Sequence, residues 1–166
     1  MMATSHILFG AACWTAVCAA SGKPLGLEVG AAVLGAMLPD IDHPRSKLGR
    51  LVPFISWPMA AVFGHRGVTH SLFAIVAMAA VAVFFGLQHA MVLALAVGYL
   101  SHLVGDWLTG GIPLFWPMER KFAAPVTFPT DSIIEPVAVA GLLVGLMYLA
   151  GIDHFTDLAR LVTAGV

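Results

Sequence analysis

The chain has 166 residues, of which 60% are hydrophobic and only 10% charged, with a formal net charge of −1. Its mean hydropathy is +0.93, whereas about a quarter of the residues of a soluble globular domain are charged. Together these exclude a water-soluble globule in favour of one membrane-embedded domain over residues 1–166, and the lack of any basic stripe excludes a nucleic-acid partner.

Five helical stretches are expected in chain order. The first, from about Ile7 to Ala20, is broken by Gly22-Lys23-Pro24. It has the length of a signal-peptide core, but no Lys or Arg precedes it, so it is expected to stay uncleaved. Cys13 and Cys18 fall on different faces of this stretch and read as small buried hydrophobes, not as a disulfide. The second stretch, from about Leu25 to Leu38, carries Glu28 near its start and ends at Pro39. Leu51 to Gly64 is apolar but interrupted by Pro53 and Pro58, and reads as an interfacial segment, not a span. The third runs from Ser71 to Leu87, an uncharged run of 17 residues. The fourth runs from about Ala90 to Leu108, stopped by Thr109-Gly110-Gly111, and the fifth from about Ile133 to Ile152. Ser132 and Glu135 have capping-box spacing at the start of the fifth. A bilayer crossing needs about 20 residues, within a range of about 17–25. The last three stretches reach that range. The first two, at about 14 residues each, fall short and are expected to be tilted, re-entrant or packed inside the protein. The expected fold is an all-α integral membrane bundle of about five helices, three to five of them embedded.

If the first two stretches enter and return and the others cross, the N-terminus, residues 39–70 and residues 109–132 share one side. That side holds Arg45, Lys47, Arg50, Arg66, Arg120 and Lys121, while Lys23 and Arg160 lie opposite. The positive-inside rule makes the basic side cytoplasmic. The same assignment gathers the polar motifs at the cytoplasmic end: His6, Asp40-Ile41-Asp42-His43, His65 to His70, and His102 with Asp106.

These motifs carry five of the seven histidines. Imidazoles mixed with carboxylates are ligands for zinc, iron or manganese more than for calcium or magnesium. His102 and Asp106 form an i, i+4 pair on one helical face. Such a pair is elsewhere often a packed histidine bonded to a carboxylate, but inside an apolar span ionisable groups are expensive and functional. Asp40 and Asp42 repel each other unless a cation lies between them, which an ordinary Asx turn does not require. His65 and His70 do not share a helical face and must converge through a turn at Gly67. His89, Asp153, His154 and Asp157 are expected to be solvated at the opposite end, and Trp57, Tyr99, Trp107 and Trp116 to be interfacial aromatics. Glu135 is first a helix cap and second an outer partner of a metal-bound histidine.

In order, Asp-x-Asp-His at 40–43, His-Arg-Gly-Val-Thr-His-Ser at 65–71, His-x-x-x-Asp at 102–106 and Gly-Gly-x-Pro-Leu-Phe-Trp-Pro at 110–117 resemble the YdjM-like family of inner-membrane metal-dependent hydrolases. The likeness runs from His6 to about Glu135. That family is in turn similar to the zinc-dependent phospholipase C and single-strand nuclease superfamily, whose histidines and acids hold clustered zinc ions. The resemblance implies His6, Asp40, Asp42, His43, His65, His70, His102 and Asp106 as metal ligands in this chain. Here His-x-x-x-Asp stands where the superfamily has His-x-x-x-Glu, and the oily helices are foreign to its soluble members.

Eight candidates exceed the four ligands of one tetrahedral zinc, so two or more metal ions are expected, with Asp42 or Asp106 bridging. Arg66 is the expected phosphate clamp and Asp40 the expected general base. A site near headgroup depth on the inner leaflet suits a phosphate-bearing lipid or other amphiphile, with membrane lipids as partners. The alternative is a metal-ion transporter or metal-regulated membrane protein without hydrolytic activity. A transporter should carry polar residues through both halves of its helices, and here they crowd one end.

Overall fold

In the computed structural model the regular structure among the described residues is helical, apart from one isolated antiparallel bridge between Ile112 and Phe122. The structure describes residues 2–64, 66–118, 120–125, 127, 134–152, 159–160 and 162–163. Seven α-helices are present among these: α1 (Ala3–Ser21), α2 (Glu28–Met37), α3 (Lys47–Leu51), α4 (Pro53–Phe63), α5 (Leu72–Phe84), α6 (His89–Thr109) and α7 (Ile134–Leu149). Two 3-10 turns, Leu38–Asp42 and Val68–His70, carry site residues.

The inner layer is α1, α2 and α6, and small residues set its geometry. A Cβ on Gly98 of α6 would lie 1.9 Å from the Ala32 carbonyl oxygen of α2, and one on Gly35 would lie 2.1 Å from the Leu95 carbonyl oxygen. No side chain fits at either place, so the two backbones touch. Ala32, Ala36 and Ala94 are fully buried in the same seam. This is packing through small residues, the usual basis of helix association where lipid is the solvent. On α1, a Cβ at Gly10 would come within 2.6 Å of the Ala36 Cβ, so the third helix closes on the same seam. Trp14 and Cys18 of α1 fill the remaining space against Ala32 and Ala94.

Helix lengths differ from the sequence expectation in an informative way. Among the described residues, only α1, with 19 residues, and α6, with 21, are long and apolar enough to cross a membrane. Helix α1 is longer than expected because it continues through Thr4, Ser5 and His6, and the last two are buried in the protein interior instead of ending the helix. The third and fifth stretches, expected to span, yield α5 and α7 of 13 and 16 residues. Each is cut short by a glycine in the left-handed conformation, Gly86 and Gly151, whose neighbours fold back on the last turn. The proline-broken segment contains an 11-residue helix, α4, with Pro58 inside it, too short to span.

Candidate metal centre

The site is assembled at one end of the inner layer. His6 lies in the first two turns of α1, Asp40 and Asp42 in the turn ending α2, His70 just before α5, and His102 and Asp106 in the last turns of α6. All except Asp40 are buried, at 2% exposure or less. Among the described residues two groups of donors result, His6 with His102 and Asp106, and Asp40 with His70 and His102.

Two of the imidazoles are held by partners that fix which nitrogen faces the centre. His102 Nδ1 lies 2.7 Å from the Ala36 carbonyl oxygen. A carbonyl only accepts, so Nδ1 carries the proton. Nε2, buried and without a hydrogen-bond partner among the described residues, is left to face the two carboxylates. The α2–α6 seam is what delivers Ala36 to that position. His70 Nδ1 sits 3.0 Å from Thr69 Oγ1 and 3.3 Å from Asp42 Oδ2. Thr69 donates its own proton to Asp42, so it accepts from His70 and directs Nε2 inward. Asp42 also accepts the Arg66 backbone N–H at 3.1 Å. Tyr99 of α6 donates to the Thr69 carbonyl at 2.6 Å and pins this turn to the helix.

The spacing between donors discriminates between hydrogen bonding and metal binding. His6 Nε2 lies 3.4 Å from Asp106 Oδ1, and His70 Nε2 and His102 Nε2 lie 3.3 and 3.6 Å from Asp106 Oδ2. Asp40 Oδ1 is 3.8 Å from His102 Nε2 and 4.0 Å from His70 Nε2. Charge-assisted N–H···O bonds are shorter, at about 2.7–2.9 Å. Ligands about 2.1 Å from a tetrahedral zinc are separated by about 3.4 Å. The Asp106 contacts match the second distance. The rings of His6 and His102 stack with centroids 3.7 Å apart, which places both Nε2 atoms beside the same carboxylate. The donor set and its spacing fit a divalent transition metal.

His70 is outside the spanning helices. Burial alone would lower its pKa, but the Asp106 and Asp42 carboxylates against it outweigh burial and raise it to about 9. In the metal-free protein its imidazolium offsets part of the charge of those aspartates.

The expected ligands divide as follows. His6, Asp40, His70, His102 and Asp106 converge. Asp42 is fully buried, and its Oδ2 accepts from Thr69 and the Arg66 N–H and lies 3.3 Å from His70 Nδ1, so it orients His70. His43 belongs to neither donor group; its Nδ1 accepts the Arg45 backbone N–H at 3.0 Å, closing the loop after the turn. His65 lies outside the described residues, as do Ser132, Asp153, His154 and Asp157. Arg66 places its Nε 3.3 Å from Asp106 Oδ2, as a charge partner to that carboxylate, with 23% of its side chain exposed. His89 is exposed at the far end of α6.

Two side chains differ from the expectation. Tyr99 is 4% exposed and part of the site's scaffold, not an interfacial aromatic. The signal was its register, because Tyr99, His102 and Asp106 recur at i, i+3 and i+7 on one face of α6. Glu135, 1% exposed, accepts the Met2 backbone N–H at 2.5 Å. It therefore caps α1 from α7, where Met2 itself offers no side-chain cap. That contact across 133 positions has no local sequence signal.

The YdjM inner membrane protein family matches residues 1–164. The inner membrane protein YdjM of Escherichia coli (strain K12) is 39% identical over 141 residues, covering 78% of this chain and 72% of the relative. Its Shigella flexneri counterpart matches to the same extent. The Bacillus subtilis (strain 168) protein named uncharacterized protein YvsG is 34% identical over 149 residues, 89% of this chain and 93% of its own. No solved structure matches.

Proposed function

The chain belongs to the YdjM inner membrane protein family, and from that premise we propose a membrane-bound, metal-dependent hydrolase that cleaves a phosphoester of a lipid or other amphiphile at the cytoplasmic face. The observation that carries the reading is the buried His102 Nε2, without a hydrogen-bond partner within 3.5 Å among the described residues and 3.8 and 3.6 Å from the Asp40 and Asp106 carboxylates. A bare nitrogen among acids in an apolar span is costly unless a cation joins them.

His6, Asp40, His70, His102 and Asp106 would hold the metal. Asp106 presents Oδ1 to His6 and Oδ2 to His70 and His102, so both of its oxygens would be available as donors. Five donor residues also exceed what one tetrahedral ion takes. A bound pair, zinc by donor type with manganese or iron as alternatives, supplies Lewis-acid polarisation of the phosphoryl group and a water acidic enough to react near neutral pH. Asp42 and the Ala36 carbonyl keep His70 and His102 in the ligating tautomer. Asp40, with 23% of its side chain exposed, is the ligand within reach of incoming water and accepts its proton. Arg66 offsets the charge of Asp106 and so limits repulsion among the acids.

The test pairs metal analysis of the purified protein with phosphate release from a panel of phospholipids and soluble phosphoesters. At least two transition-metal equivalents and metal-dependent release are expected. Metal binding with no release from any substrate would overturn hydrolysis and favour the transporter reading.

A further inference from the structure

Two cations stand close to the centre, and they are differently placed. Arg66 is held on Asp106, with its Nη1 packed against the Gly110 backbone, where an added Cβ would lie only 2.7 Å away. Lys47, the first residue of α3, is exposed and makes no ion pair with any described residue. It stands on the rim of a narrow cleft whose walls include Ala3 and His6 of α1, Met37 of α2 and Asp40 of the following turn. The cleft, of about 10 Å³, has room for one water. It exposes one donor from each group, His6 and Asp40. His6, 2% exposed, has an Nδ1 with no hydrogen-bond partner among the described residues. The cleft therefore runs beside one member of each donor group, with a cation in its wall.

We propose that this cleft is the mouth of the metal centre and that Lys47 anchors a phosphate oxyanion there, an assignment that rests on the hydrolase reading above. An ammonium on a flexible stem suits this position, because it can hold a phosphate at the rim of a cleft that itself admits only water. The backbone of Asp40 is braced beside it. Its carbonyl accepts from Ser46 Oγ at 2.7 Å, and the same hydroxyl caps α3 by accepting the Gly49 N–H at 2.8 Å. Asp40 and Lys47 are thus tied into one rigid corner.

The surroundings indicate a lipid headgroup as the source of the phosphate. Helix α3 leads directly into α4, whose Phe54, Trp57 and Val62 are 74%, 68% and 72% exposed. Arg50 is exposed on the same short helix as Lys47. Basic residues flanking an exposed apolar helix with tryptophan describe a segment lying in the headgroup plane. That orientation sets the mouth at the depth of lipid phosphates.

The experiment measures inorganic phosphate binding to metal-loaded protein in phosphatidylcholine nanodiscs, for the natural chain, Lys47→Gln, Lys47→Glu and Lys47→Arg. Metal content should be equal in all four, since Lys47 is no ligand. Phosphate binding should weaken about tenfold in Lys47→Gln and further in Lys47→Glu, and persist in Lys47→Arg, as expected for loss of one charge-assisted contact. Phosphatidic acid placed in the nanodisc should compete more strongly than soluble glycerol phosphate. The reverse order would overturn the lipid source. Unchanged phosphate affinity in Lys47→Gln, or unchanged KM where turnover is seen, would overturn the mouth while leaving the hydrolase reading standing. Lys47-dependent phosphate binding without turnover of any phosphoester would overturn the hydrolase reading and leave the anion site standing.

Discussion

The inner helices α1, α2 and α6 and the outer helices α5 and α7 are all strongly apolar in sequence, yet they solve different problems. In the inner layer glycine and alanine let backbones touch, so that Ala36, Tyr99, His102 and Asp106 meet at fixed positions. The outer helices leave large side chains uncovered, such as Phe84 and Leu149, both 83% exposed, and Tyr148 at 73%. Apolar surface of that kind is stable against lipid and requires no fitted partner. Hydropathy identifies both layers as membrane material. Small-residue packing is what separates the layer that carries the ligands from the layer that turns large apolar side chains outward.

Glycine substitutions break this contrast most sharply. Gly98→Val drives a side chain into the Ala32 carbonyl, separates α2 from α6 and should cost about 3 kcal/mol or more. Its readout is loss of folded, metal-loaded protein from detergent extracts. Gly141→Ala and Gly145→Ala on α7 meet nothing within 4 Å and should stay within about 1 kcal/mol of the natural chain by thermal unfolding. If all three behave alike, the two layers are not distinct.

Within the inner layer, a ligand and its supporter should differ in degree. His102→Ala removes a donor and should eliminate both tightly held metal and turnover while the protein still inserts. Asp42→Ala leaves the donors in place but frees His70 to rotate and should weaken metal affinity about 10–100-fold, measured by competition with a chelator. It also strands the buried Thr69 hydroxyl and the Arg66 N–H, a further loss of about 1–3 kcal/mol in stability.

A smaller effect follows from His70. With its pKa raised from 6.5 to about 9, the charged ring stabilises the metal-free protein fully below about 6.5, and that contribution disappears as pH rises through about 9. The thermal midpoint of chelator-treated protein should therefore fall as pH rises across that window. Metal replaces that proton, so metal-loaded protein should lose the trend and release acid as it loads. A flat profile for the metal-free protein would place His70 away from the carboxylates.

Much of this layout was legible in the sequence because the site is built from polar residues in an oily chain. Asp40, His70, His102 and Asp106 stood out by contrast, and their shared end followed from where the apolar stretches stop. The division of labour between Asp40 and Asp42 did not follow. Two aspartates in one short turn look equivalent until their partners are known, and Thr69 and Arg66 decide the matter from 27 and 24 positions away. His43 was equally persuasive as a ligand, and the contact of its Nδ1 with the Arg45 N–H after Pro44 has no signal in the sequence. Helices α5 and α7 end at Phe84 and Leu149, three residues before the expected Leu87 and Ile152, because Gly86 and Gly151 turn the chain left-handed while one apolar residue still follows each. Apolarity alone does not show where a helix stops.

The central claim is that five side chains from four parts of the chain, all but Asp40 fully buried, form a metal centre. X-ray absorption on purified protein, combined with elemental analysis, addresses it directly. The account predicts about two transition-metal ions per chain in a nitrogen and oxygen shell near 2.0–2.2 Å, with no sulfur, since Cys13 and Cys18 are not in the donor groups. A protein that retains no metal, takes none up and unfolds at the same temperature with or without chelator would contradict it.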